Sequence, residues 1–208
     1  MVLRAPWKAP NCTLAPVQFP KVRFLLSVAG VEQFPAEPGR EVAFAGRSNA
    51  GKSSALNAIV QRNALARTSK TPGRTKLLNF FELEPGRRLI DLPGYGYAEA
   101  HATERAQWTA LIEALPAREN LVGLFLIVDI RRGITPQDEQ LVEWAAAAGW
   151  QVHVLLTKSD KLNQRERAAA LKAAQEQLGE SMSAQLFSAE DKTGVQAAQA
   201  KLLAMLKI

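Results

Sequence analysis

EVAFAGRSNAGKSSALNAIV, residues 41 to 60, joins a short apolar run to a segment of helical spacing through a glycine loop. Glu41 to Gly46 reads as a buried strand, and Leu56, Ile59 and Val60 give Lys52 to Val60 one apolar helical face. Between them, Gly46, Arg47, Ser48, Asn49, Ala50, Gly51, Lys52 and Ser53 match G-x-x-x-x-G-K-[ST] in the strand-to-helix setting the pattern requires. The spacing has a physical reason. Glycines let backbone N–H groups curl around a phosphate, the helix N-terminus adds a favourable dipole, Lys52 neutralises outer phosphate oxygens, and Ser53 offers its hydroxyl to magnesium.

Working outward, strands and helices alternate. Lys76 to Leu83 and Arg88 to Asp91 flank the turn Glu84-Pro85-Gly86, a hairpin signal that predicts an antiparallel pair. A helix is predicted from an N-cap at Thr103 toward Pro116, then a strand over Leu121 to Asp129 and a helix from Pro136 to Ala148 stopped by Gly149. Strand Gln151 to Thr157, helix Gln164 to Leu178 ending at Gly179, strand Ala184 to Ser188 and a helix from about Thr193 complete the chain. The expected fold is a three-layer α/β P-loop domain on a mostly parallel, six-stranded sheet with one antiparallel edge strand. Residues 1 to 38, rich in proline and without sustained periodicity, are expected to be an extended arm leading into a domain over 39 to 208.

The 208 residues suffice for one ordinary core, and 47% hydrophobic with 22% charged residues excludes a disordered chain. Cys12 is the single cysteine, so no intrachain disulfide can form, which suits a reducing compartment. The longest apolar run, Leu121 to Val128, is too short to span a bilayer, and prolines at 6, 10, 16 and 20 interrupt any signal-peptide core. A cytoplasmic location without membrane attachment is expected. The net charge of +6 is uneven: residues 1 to 88 carry +9 and the remainder −3, a surplus that can face a nucleotide or a nucleic acid.

P-loops also serve ATPases and kinases, so the base must be chosen elsewhere. Thr157, Lys158, Ser159 and Asp160 follow an apolar strand at the edge where α/β sheets bind ligands, and they match [N/T]-K-x-D. The Asp160 carboxylate can accept from N1–H and the 2-amino group of guanine, donors that adenine lacks, while the Lys158 stem covers the ring. Asp91, Leu92, Pro93 and Gly94 form D-x-x-G after the strand RLID, with Asp91 placed to hold magnesium through water and the Gly94 N–H to meet a γ-phosphate. Thr75, in the basic stretch TSKTPGRT at 68 to 75, is a candidate magnesium ligand that engages only when a γ-phosphate is present. Ser188 and Ala189 can offer backbone N–H to guanine O6.

In order, GRSNAGKSSALNA, TSKTPGRT, DLPGYGYA, TKSD and FSA resemble the five G-motifs of translation-factor-like GTPases, and specifically the EngB (YihA/YsxC) family of small bacterial GTPases. The resemblance runs over residues 20 to 208. It implies a monomeric cytoplasmic GTPase that binds GTP or GDP with Mg2+, with Gly73, Arg74, Thr75, Lys76, Leu77 and Phe187 joining the nucleotide contacts named above. It also implies a role in assembly of the large ribosomal subunit, through the subunit or its rRNA, and in normal division and septation.

One departure from the Ras-type pattern bears on mechanism: Tyr95 follows Gly94 where a water-orienting Gln would stand, so intrinsic turnover should be slow. Lys52, Asn49 and Thr75 are the candidate catalytic residues. Asn49 matches the position where related potassium-activated GTPases hold K+, with Arg74 as its rival. A loop Asn tolerating unusual backbone angles is the bland alternative. His101, His153, Trp108, Trp144 and Trp150 read as packing or surface groups. Two other functions remain open to the sequence, a protein-binding signalling switch and a P-loop kinase or ATPase.

Overall fold

Alternation along residues 42–45 divides the interior in two. Val42 and Phe44 belong to one apolar cluster, Ala43 and Ala45 to another, and all four are fully buried. A strand buried on both faces belongs to the middle of a parallel sheet covered by helices. The computed structural model, which describes residues 22–66, 77–96, 109–110, 112–179 and 181–208, has that architecture. Its strands are β1 (Arg23–Val28), β2 (Arg40–Gly46), β3 (Leu78–Glu84), β4 (Arg87–Asp91), β5 (Leu121–Asp129), β6 (Gln151–Thr157) and β7 (Ser183–Leu186). The helices numbered here are α1 (Lys52–Ile59), α2 (Pro136–Ala147), α3 (Gln164–Leu178) and α4 (Val195–Leu206).

The sheet order is β1-β3-β4-β2-β5-β6-β7. Strands β4, β2, β5, β6 and β7 run parallel, whereas β3 pairs antiparallel with both β4 and β1. Leu56 and Ile59 of α1 and Ala198 and Leu202 of α4 cover the face that carries Phe44 and Phe125, whose rings stack at 5.0 Å. Leu141 and Ala145 of α2 and Ala174 of α3 cover the other. The βαβ connections bring the loops after β2, β4, β5, β6 and β7 to one edge of the sheet.

The mostly parallel sheet and its antiparallel edge are as expected, with one strand more. Seven strands stand where six were predicted, because Arg23–Val28, within the stretch read as an arm, pairs with β3 from Arg23 opposite Glu82 to Val28 opposite Leu78. The run VRFLLSV lies among prolines, and its pairing partner is over fifty residues away, so local pattern gave no sign of it. Strand β7 begins at Ser183 and α4 at Val195, each within two residues of expectation. Thr103, His101, Trp108 and Cys12 lie outside the described residues. His153 and Trp150 are structural: Trp150 is buried in the α2–α3 cluster, and His153 bonds Ser183 Oγ at 2.8 Å and Gln185 Oε1 at 2.9 Å.

Candidate functional site

The loop 46–51 turns from β2 into α1 with two residues in the left-handed region, Asn49 at φ 64° and Gly51 at φ 94°. That geometry suits Gly51 for want of a Cβ, and Asn is among the side chains that tolerate it. Asn49 therefore has a conformational reason to be Asn. The turn is braced from beneath: Thr157 Oγ1 lies 2.5 Å from Ala50 O and 3.0 Å from Val128 O, and its one proton is shared between these carbonyls. Lys158 Nζ donates to Asn49 O at 2.7 Å and to Asp129 Oδ2 at 2.9 Å. Threonine and lysine of the TKSD segment thus hold two successive carbonyls of the glycine loop.

The loop after β4 closes the other side. Leu92 N donates to Phe44 O at 3.0 Å, Tyr95 N to Gly46 O at 3.4 Å and Ser48 N to Tyr95 O at 2.9 Å, so the β2–β4 ladder continues through D-x-x-G. A Cβ on Gly94 would sit 3.3 Å from Ser48 Cα, closer than a side chain tolerates without the loop giving way. Lys52 Nζ is bonded to the Asp91 carboxylate, and both side chains are largely buried. Ser53, the next residue, is half-buried in the first turn of α1. The lysine, the hydroxyl and the carboxylate of the proposed phosphate and metal chemistry are therefore neighbours. Leu92 and Pro93 are buried, so only their backbone can face a ligand.

At the far end, Ser188 Oγ donates to Asp160 Oδ1 at 2.8 Å, while Lys161 Nζ lies 2.7 Å from Asp160 Oδ2. These two bonds, that of Lys161 foremost, hold the carboxyl of Asp160 below its ordinary range. Asp160 is thus an ionised acceptor at neutral pH. Ser159 N donates to Phe187 O at 3.2 Å and Ser188 N to Thr193 O at 2.9 Å. The Ser188 N–H is engaged within its own loop, which leaves Ala189 as the candidate donor of the pair. Phe187 is fully buried, a core residue that fixes the loop. Gly73, Arg74, Thr75 and Lys76 lie outside the described residues, and Leu77 is exposed just before β3.

Two features escaped the sequence. Tyr95 is buried, and its hydroxyl donates to Asp138 Oδ1, while Asp138 Oδ2 accepts from Thr135 N at 2.8 Å and Thr135 Oγ1 at 2.6 Å. Burial first, then the Asp138 charge, pushes the phenol far above its usual range, so it stays a donor. The tyrosine ties the D-x-x-G loop to the start of α2. Asp129, at the end of β5, accepts from Arg131 and Lys158, and these bonds outweigh burial to hold its carboxyl below the usual range. A carboxylate closing an apolar strand at the ligand-binding edge was the available signal.

A P-loop, a D-x-x-G loop, and a T-K-x-D segment meeting at one sheet edge define a GTPase, and residues 41–158 match the family described as 50S ribosome-binding GTPase. The chain is 48% identical over 192 residues to "Probable GTP-binding protein EngB" of Aromatoleum aromaticum, covering 90% of this chain and 89% of that protein. It is 49% identical over 183 residues to the protein of the same description in Tolumonas auensis, covering 86% of each. The chain belongs to the EngB family of GTP-binding proteins. A crystal structure of a probable GTP-binding protein EngB shares the fold at TM-score 0.66 and 19% identity, over 80% of this chain and 98% of that one. Era of Aquifex aeolicus bound to GDP and AlF4− does so at TM-score 0.64 and 19% identity, over 82% and 57%.

Proposed function

We propose that this GTPase binds GTP or GDP with Mg2+ across the four loops just described, turns over slowly unaided, and acts in the cytoplasm on the large ribosomal subunit during its assembly. The observation that carries the site assignment is the wiring of the guanine segment to the glycine loop: Thr157 and Lys158 hold Ala50 O and Asn49 O, and Ser188 holds Asp160. Base and phosphates would then be gripped by one connected unit. Residues 39–208 are taken as the GTPase domain, with β1 completing its sheet.

The donor set fits Mg2+. The hydroxyl of Ser53 and the carboxylate of Asp91 are hard oxygen donors, and the Lys52 contact brings Asp91 to the turn that carries Ser53. Ser53 would bind the ion directly, Asp91 through water, and Thr75 when a γ-phosphate is present. Magnesium, when bound, supplies charge neutralisation at the phosphates. With nucleotide and magnesium bound, Lys52 would hold the phosphates instead of Asp91, and Asp91 would be free to support the metal. Tyr95, spoken for by Asp138, supports slow intrinsic hydrolysis, and Asn49 with K+, or Arg74, is proposed to supply the missing charge.

The ribosomal reading rests on the family description and on the basic first half, and the structure of Era with 16S ribosomal RNA is a related case on the same fold. The surplus is not all free surface: Arg88 is buried against Glu41, and Arg40 donates to Met205 O at 2.8 and 2.9 Å. A role in division and septation is proposed as following from ribosome assembly. The test is cosedimentation with large subunits across a salt series in GDP, GTP and a non-hydrolysable analogue. Nucleotide-dependent binding that weakens with salt supports it. Absence of binding in every state would leave a protein-binding switch.

A further inference from the structure

We propose that Asp129 is a positioning residue for guanine discrimination: it holds Arg131, a cation that would otherwise collapse onto Asp160 and block its acceptor oxygens. This deepens the guanine-site reading and rests on it.

Asp129 belongs to none of the five motifs. It ends β5, is 5% exposed, and faces the guanine segment from the neighbouring strand, with Asp129 paired to Thr157 in the β5–β6 register. Its Oδ1 accepts from Arg131 Nε at 2.9 Å and Arg131 N at 3.1 Å, and its Oδ2 from an Arg131 terminal nitrogen at 2.7 Å and Lys158 Nζ at 2.9 Å. One carboxylate thus takes a bidentate guanidinium and an ammonium at once. Arg131 is half exposed, and among the described residues only this fork restrains its guanidinium. Asp129 is the main cause that raises its pKa, with the charge of Asp160 a lesser one. Lys158 is held in the left-handed region at φ 59°, and its ammonium reaches both Asp129 and Asn49 O.

Asp160 already holds Lys161 and Ser188. A further cation competing for the same oxygens would remove the acceptor that guanine needs for N1–H and the 2-amino group. With Asp129 in place, Arg131 is held away and Asp160 keeps its free lone pairs. Discrimination through Asp160 therefore depends on a carboxylate that never touches the base.

The comparison is GTP against ITP, which lacks the 2-amino donor, measured as equilibrium affinities of the full chain with magnesium. Asp129→Ala is expected to lower the GTP-over-ITP preference by roughly threefold or more, the size of coupling found between contacting groups. Asp129→Ala combined with Arg131→Ala is expected to restore part of it, because the redirected guanidinium is gone. Equal loss of preference in the single and double variants would overturn the proposal, since mere distortion of the edge gives that result. An unchanged preference in Asp129→Ala would also overturn it. Should circular dichroism show that Asp129→Ala does not fold, Asp129→Asn carries the same test, with a smaller loss expected and no loss refuting. A wild type without GTP-over-ITP preference would instead overturn the guanine-site reading, and this inference with it.

Discussion

Removing the Glu41 carboxylate should cost this domain more stability than any other single truncation of a charged side chain described here. Glu41 is fully buried at the start of β2, where Arg118 donates to both oxygens, one bond at 2.6 Å, and Arg88 donates at 3.2 Å. The Arg118 guanidinium also stacks over Phe34 and Phe80, and Arg88 Nε has no partner among the described residues. Glu41→Ala leaves two guanidinium groups in an apolar wall. Breaking a buried pair costs about 3–5 kcal/mol. Arg118 would keep Pro35 O at 2.9 Å and Arg88 would keep Glu37 O at 3.1 Å, which places the loss near the bottom of that range. A domain of this size loses about 2–4 °C in melting temperature per kcal/mol, so ~3 kcal/mol is a fall of about 6–12 °C. Thermal and urea unfolding in parallel measure it. Nucleotide affinity of the folded variant should not change, because Glu41 and Gly46 are ~17 Å apart along one extended strand. A loss below about 1 kcal/mol would refute the reasoning, since it would mean that water or relaxation already satisfies both arginines.

Lys52→Ala and Ser53→Ala are each expected to abolish productive binding of GTP with magnesium while circular dichroism stays native, as nucleotide titration will show. Single-turnover hydrolysis should be slow in sodium chloride and faster in potassium chloride or with large subunits, and Asn49→Ala should remove a potassium effect. A supplied charge at the transition state is worth about 10³ to 10⁵ in related enzymes, so even a partial substitute is measurable. Burial lowers the His153 pKa, so below its ordinary value of about 6.5 the unfolded chain binds the proton more readily than the folded one. Melting temperature should therefore fall as pH drops from 7 to 5.5, and less so in His153→Gln.

What the sequence disclosed and what it withheld follow one physical line. The strand, glycine loop and helix at 41–60 are local, and so are TKSD and D-x-x-G, whose residue types are dictated by phosphate and base chemistry. Each was legible as written. Strand β1 was not, because its apolar run is flanked by prolines and its partner β3 lies across the chain. The Tyr95–Asp138 and Asp129–Lys158 bonds join residues 43 and 29 positions apart. Only the fold brings them together. Tyr95 illustrates the difference: the sequence says that a glutamine is missing, whereas the structure says what the tyrosine does instead.

The most direct test of the central claim is the nucleotide preference of the wild type against Asp160→Asn. Equilibrium competition among GTP, XTP and ATP should show the wild type preferring GTP, and Asp160→Asn shifted toward XTP, whose 2-oxo group accepts from the new amide. Recognition of this bidentate kind is worth about 1–3 kcal/mol. Equal affinity of the wild type for ATP and GTP, or an Asp160→Asn variant that keeps the wild-type preference, would contradict the account.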